Sequence, residues 1–189
     1  MLCVTTGDEI GKAAYGTGTI PFIRTSDFSN WEIKHDPKQG VSEHIYNQYS
    51  SSQDVRCQDI LLVRDGTYLV GTSCMITAED SRSLFCGGLI KLRSLDHERL
   101  NPYLLLGLLN AYIVKRQMRT KQFTRDVIDT LGQRLREVIL PIPKSASLRC
   151  EIADAVKGVI DRRITARKRI AILTSRIETG PLTGATAAI

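Results

Sequence analysis

Few side chains in this sequence have the type and spacing that catalysis needs. Glu32-Ile33-Lys34 is an acidic-x-Lys triplet, of the kind in which a carboxylate binds Mg²⁺ and an ammonium polarises a phosphate. No Pro-Asp pair on a preceding strand supplies the second carboxylate, and such triplets arise often by chance. Asp65 lies in "ILLVRDGTYLVG" (60–71), between Arg64 and Gly66. An aspartate beside a glycine serves the backbone more often than it serves acid–base chemistry. Gly16-Thr17-Gly18 lacks the third glycine and the following helical pattern of a dinucleotide loop. No G-x-x-x-x-G-K-S/T phosphate loop and no Asn/Asp-Pro-Pro-Tyr methyltransferase motif is present. The five cysteines have no C-x-x-C pair and the three histidines are far apart, which argues against a metal centre.

Binding is better supported than catalysis. The net charge is +6, and it is unevenly placed. Residues 144–176 hold nine Lys or Arg against three Asp or Glu, and residues 115–136 hold seven against two. Two basic stretches on a nearly neutral body point to a polyanionic partner. Two solvated helix faces would give the same count. The longest apolar stretch, 103–114, is too short for a bilayer and contains an Asn. The start shows no secretory pattern, and the odd cysteine count fits reduced thiols, so a cytoplasmic, non-membrane protein is expected.

The elements that would position these residues can be read coarsely. Residues 1–20 read as loop-rich, and "PFIRTSDF" (21–28) as a short strand ending in turn or capping residues. "VSEHIYNQY" (41–49) reads as a helix capped by Ser42, with Val41, Ile45 and Tyr49 on one face. "DILLVRDG" and "TYLVG" read as two strands joined at Asp65-Gly66, a favoured two-residue turn. Residues 86–94 read as a further strand. Pro102 opens a core helix running to about Met118. Residues 124–138 read as one or two short helices, and "VILPIP" (138–143) as a strand ending in prolines. From Ser147 to Ile177 one long helix is expected. Its broken apolar stripe is Ile152, Val156, Val159, Ile160, Ile164, Ile170, Leu173 and Ile177. Such a helix either wants a partner helix or folds back on its own domain. The tail after it is small-residue-rich and reads as disordered.

Six stretches, in order, resemble the target recognition domain of the specificity subunit of Type I restriction–modification systems, also found in single-chain methylase–nuclease enzymes. They are "GTGTIPFIRTSDF" (16–28), "VSEHIYNQY" (41–49), "QDILLVRDGTYLVG" (58–71), "LNPYLLLGLLNAYIVKRQM" (100–118), "LGQRLREVILPIP" (131–143) and "EIADAVKGVIDRRI" (151–164). The specific part is the combination of "PFIRTSD", the strand–Asp-Gly–strand and "LPIP" before a long helix. The resemblance implies an α/β (α+β) recognition domain with a mixed sheet over 1–143. A spacer helix with a tail over 144–189 would follow, pairing as a coiled coil. It implies a non-catalytic chain that binds double-stranded DNA and directs an N6-adenine methyltransferase, and a restriction subunit, to a split target. S-adenosylmethionine would sit on the methyltransferase, with no cofactor in this chain. The family's subunit carries two recognition domains, whereas this chain has one and no internal repeat. It therefore either pairs with a second recognition unit as a homodimer, which implies a palindromic split target, or is a fragment or a separate piece of a larger enzyme. A stand-alone DNA-binding regulator and a small nuclease are the rival classes.

Under this resemblance, Lys115, Arg116, Arg119, Lys121 and Arg125 are expected on phosphates. Arg24, Thr25, Ser26, Arg64, Asp65, Thr67, Tyr68 and Gln122 are the candidates for reading bases. Arg163 and Arg167 join the stripe residues in helix pairing or partner docking, and Arg162, Lys168 and Arg169 lie with them. These arginines and Lys168 could instead lie along the DNA between half-sites.

Overall fold

The computed structural model describes residues 1–29, 31–34, 37–66, 68–125 and 128–179. In chain order the strands and helices are β1 (Leu2–Thr6), β2 (Ile20–Ile23), β3 (Phe28–Ser29), β4 (Glu32–Ile33), β5 (Gly40–Val41), α1 (Glu43–Gln53), β6 (Ile60–Val63), β7 (Asp65–Gly66), β8 (Ser73–Met75), β9 (Leu84–Phe85), β10 (Leu89–Ser94), α2 (Pro102–Asn110), α3 (Tyr112–Lys121), β11 (Phe123–Arg125), β12 (Ile128–Thr130) and α4 (Ala146–Thr179). An antiparallel sheet ordered β1-β10-β6-β8 is the frame. β5-β2-β9 and β11-β12-β7 form smaller sheets, and β3 pairs with β4. The β2–β9 pairing is parallel, so strand directions are mixed, as expected.

β6 reads Ile-Leu-Leu-Val with all four side chains buried, because both faces of this strand are covered. Ile60 and Leu62 enter the larger core with Leu105, Leu109, Val156 and Ile160. Leu61 and Val63 enter a second core with Ile23, Ile33 and Phe85. Continuous hydrophobicity in one strand thus ties the two cores together. α2 is apolar nearly all round and lies between the sheet and α4. Gly107 lets α4 approach: a Cβ there would lie 3.2 Å from Val156 Cγ2 and 3.6 Å from Ile152 Cγ2.

Charge holds the back of the sheet. Lys91 is buried on β10 and its ammonium donates to the Gln53 and Asp54 carbonyls, at the negative end of α1. Burial lowers the Lys91 pKa below its ordinary value. Arg93, two residues on, donates Nε and Nη2 to the buried Asp59 carboxylate at 2.7 Å each and Nη1 to Asp54 at 2.7 Å.

Five sequence expectations need correction. Residues 2–6 are strand β1, not loop, because β10 offers them a complete ladder. Asp65-Gly66 is no turn. It is β7, paired with Thr130 and Asp129. The chain reverses later, with the Gly71 N–H donating to the Val63 carbonyl at 2.9 Å, and Tyr68–Val70 form no strand. Tertiary partners outweigh the local turn preference here, since the Asp65 N–H is held by the Gly88 carbonyl at 3.1 Å. The helix over 103–118 breaks at Ala111, which is extended. The Asn110 amide bonds the Leu106 carbonyl and the Ser73 hydroxyl at 2.9 Å each, a local competitor to helix continuation. The described residues of 124–138 form strand at β11 and β12 where helix was expected, and a short 3-10 helix over Gly132–Glu137. The β-branched Thr124, Val127, Ile128 and Thr130 of the sequence carry that preference. "VILPIP" is irregular, since Pro141 and Pro143 have no N–H to give a ladder. The Gln117 amide acts as the partner of Ile139, donating to its carbonyl and accepting from its N–H at 2.9 Å each.

The long helix is present. Its 34 residues reach about 50 Å at about 1.5 Å per residue. The tail beyond it, read as disordered, and Thr67 lie outside the described residues.

Candidate nucleic-acid interface

The candidate residues fall into two groups. The first surrounds the turn Cys86–Gly88. Arg64 donates Nε and Nη2 to Asp65 Oδ2 at 2.9 and 2.6 Å, and Nη2 also to the Gly87 carbonyl at 2.9 Å. Asp65 Oδ1 accepts the Thr130 hydroxyl proton, and Thr130 Oγ1 in turn accepts the Gly132 N–H at 3.0 Å. A Cβ on Gly88 would lie 3.2 Å from Thr25 Cγ2 and 3.6 Å from the Asp65 carbonyl, so this turn sits between the two. Arg24 stacks over Tyr15, 5.6 Å from the ring centroid, and Ser26 is exposed on the 3-10 turn Thr25–Asp27. Asp65 therefore stitches three segments together, and every oxygen of its carboxylate has a donor.

The second group is a cleft of about 260 Å³ between residues 68–72 and α3. Tyr68, Lys115, Arg119 and Gln122 line it together with Thr72 and Met118. Tyr68 is 88% exposed, an unusual state for an aromatic ring. Arg119 is exposed, and Gln122 Nε2 donates to the Val70 carbonyl at 3.4 Å. Gly71 sets the loop against the helix: its φ is +84°, and a Cβ would meet Met118 Sδ at 3.1 Å. Cationic groups, a free ring and an amide thus converge on one open cleft, which suits a phosphate backbone with an adjacent base or sugar. Arg116 is exposed on α3 but does not line the cleft. Lys121 instead pairs with Glu137 at 2.7 Å. Arg125 lies on β11, and its side chain is outside the description.

On α4, Val156 and Ile160 are buried against the domain itself, with Ile152 and Ile164 packed beside them and Val159 half-buried. Arg163 pairs with Glu32 at 3.0 Å, Arg167 with Asp80 at 3.1 Å and Lys168 with Glu79 at 2.9 Å. The helix as far as Lys168 is folded back on its own domain. Beyond Arg169 the helix shows Ile170, Ile172, Leu173 and Ile177 to solvent. The Glu32-x-Lys34 pair is engaged elsewhere, since Lys34 Nζ donates to the Ser26 carbonyl. Among the described residues, no group of three or more His, Cys, Asp or Glu is placed to hold a metal ion, and no helix is long and apolar enough to cross a membrane.

Sequence reasoning missed one feature beside Asp65. A cavity of about 450 Å³ is lined by Thr6, Phe123, Thr130, Gln133 and Arg136 as well as Arg64 and Asp65. Arg134 covers the Phe123 ring at 4.7 Å. The strand-type residues of 123–130 were the available signal.

The sequence matches no family model, and no curated protein matches it in sequence. Solved structures share the fold. The S subunit of a Type I restriction–modification system from M. genitalium aligns with a TM-score of 0.58 and 13% identity, over 87% of this chain and 38% of that one. A chain from a structural study of assembly and conformational transition in the type I R-M system aligns at 0.55 and 14%, over 94% and 40%. The HsdS subunit from Thermoanaerobacter tengcongensis aligns at 0.53 and 19%, over 89% and 37%. This chain thus spans about two fifths of the length of each.

Proposed function

We propose that the chain is the DNA-recognition unit of a Type I-like restriction–modification system, a non-catalytic specificity subunit that brings an N6-adenine methyltransferase to its target. The observation that carries this reading is the shared fold along 87–94% of the chain. In this reading Lys115 and Arg119 grip phosphates, and Tyr68 and Gln122 meet the adjacent base or sugar. Arg64 and Asp65 hold the scaffold rather than touch DNA. The recognition body is 1–143 and the spacer 144–189. S-adenosylmethionine belongs to the methyltransferase, and a restriction subunit joins where the system has one.

The solved relatives are more than twice as long. In this reading a second recognition unit, in another chain or in the remainder of a longer one, completes the assembly, and the outer part of α4 meets it through Ile170, Leu173 and Ile177. If that unit is a second copy, the target is split and palindromic. The protein would act in the cytoplasm, on the cell's DNA. Co-expression with the methyltransferase subunit, followed by mapping of N6-methyladenine, tests the reading. One split motif, lost when this chain is omitted, is expected. Methylation unchanged by its omission would sink the proposal.

A further inference from the structure

Among the described residues, no strand pairs with the outer edge of β1. At its two ends the Leu95 N–H donates to the Met1 carbonyl at 2.9 Å and the Gly7 N–H to the Leu89 carbonyl at 3.1 Å. With this register the bonded pairs fall on Cys3 and Thr5. The N–H and C=O groups of Leu2, Val4 and Thr6 therefore point away from the sheet, and no described residue pairs with them. Their side chains share a face with Leu92 and Ile90, which belong to the larger core. Val4 nonetheless stays 48% exposed, although Leu92 and Ile90 beside it are buried, so the open part of this face is at the edge strand itself.

A groove runs beside the edge. Its wide end is the 450 Å³ cavity containing Val4, Thr6 and Gln133. Its narrow end, about 140 Å³, is almost wholly apolar, with Leu2, Leu109, Val138 and Leu140. Val4, Leu135 and Arg136 line both, so the two lie side by side along the edge. Exposed edges are normally protected by lysine, proline or an inward charge. β1 reads Leu-Cys-Val-Thr-Thr and has none of these. The charged side chain common to both ends is Arg136, which is exposed and has no ion pair among the described residues.

We propose that this groove binds an extended peptide segment of a partner protein, which adds to β1 as a fifth strand and sets a carboxylate against Arg136. Alternate side chains of the peptide would enter the apolar floor, while its backbone satisfies Leu2, Val4 and Thr6. Five residues of β1 offer about 17 Å of ladder, at about 3.4 Å per residue. Two observations select the occupant. The outward carbonyls of the edge need donors, which a peptide has and a phosphate backbone lacks. A second copy pairing through its own β1 would bring no acidic residue to Arg136, because β1 has none.

The test uses the full ¹⁵N-labelled chain and an acetylated, amidated peptide Thr-Val-Thr-Val-Glu-Val at up to about 1 mM, a range that detects weak strand addition. Expected are amide shifts at Leu2, Val4 and Thr6. They disappear when alternate peptide bonds of the probe are N-methylated, which leaves the protein untouched. A Lys-for-Glu probe should bind roughly tenfold more weakly, and Arg136→Glu should invert that preference. Silent edge amides, or shifts indifferent to the Glu-to-Lys change, overturn the proposal. So do equal shifts produced by a DNA duplex or by raising the protein concentration alone, which would assign the edge to nucleic acid or to self-pairing. None of these readouts depends on methyltransferase binding or on a DNA target.

Discussion

Arg167 on α4 and Arg119 on α3 come from the two basic stretches of the sequence, and both lie on helices. Arg167 is held by Asp80, with the two side chains only 14% and 10% exposed. Arg163 is held by the partly buried Glu32, while Lys168 meets Glu79 at the surface. Arg119 is exposed at the rim of an open cleft with Lys115 and Tyr68, and no ion pair ties it down among the described residues. A run of basic residues therefore does not by itself mark a surface open to a polyanion. What matters is whether the fold has already neutralised the charge. The more basic stretch does much of its work inside the molecule, fixing a long helix to the rest of the domain. On α3, Lys115, Arg116 and Arg119 have no ion pair among the described residues, whereas Lys121 is tied to Glu137.

The largest expected effect tests the neutralised side. Arg167→Met keeps the aliphatic stem but leaves the largely buried Asp80 without its cation. Unfolding in urea should show a loss of about 3 kcal/mol, as for other buried pairs that lose one partner. A loss below about 0.5 kcal/mol, the size of a surface pair, would erase the contrast with α3. The next effect tests the free side. Lys115→Ala with Arg119→Ala should leave stability nearly unchanged. The salt dependence of DNA binding should flatten by about 0.9 slope units per lost phosphate contact. An unaltered slope would remove the cleft from the interface.

The smallest effect concerns a charge that is paired but still partly in solvent. The hydrogen bond from Arg56, then that from Arg93, holds the Asp54 pKa at about 2, below the ordinary 3.8. Because the folded-state value is the lower one, its stabilisation is present above pH ~4 and is lost as pH falls from ~4 toward ~2. Asp54 is 41% exposed, so solvent screening keeps the gain below about 1 kcal/mol. Asp54→Asn should lower the melting temperature at neutral pH, with the difference closing near pH 2. A constant difference across that range would mean that packing, not charge, is responsible.

Legibility in the sequence followed the range of the interactions. The Ser42 cap, the Pro102 helix start and the long α4 were readable because capping, helix initiation and 3.6-residue periodicity act within a few residues. Asp65-Gly66 was misread for the opposite reason. Its partners, Gly88 and Thr130, are more than twenty residues away. The same holds for β1, which forms on β10, and for β11 and β12, whose strand preference was masked by a partial helical spacing. The cleft was legible as residue types but not as a place. Tyr68 and Arg119 are brought together by the loop over α3, where Gly71 permits the close approach.

The sequence by itself determined the single long helix and the two basic stretches, both set by local periodicity and composition. Only the tertiary structure decided which charges are free, which part of α4 is docked and which strand edge is open. Those are questions of pairing across the chain, and the free energy of a pair depends on burial and distance, which no local pattern encodes.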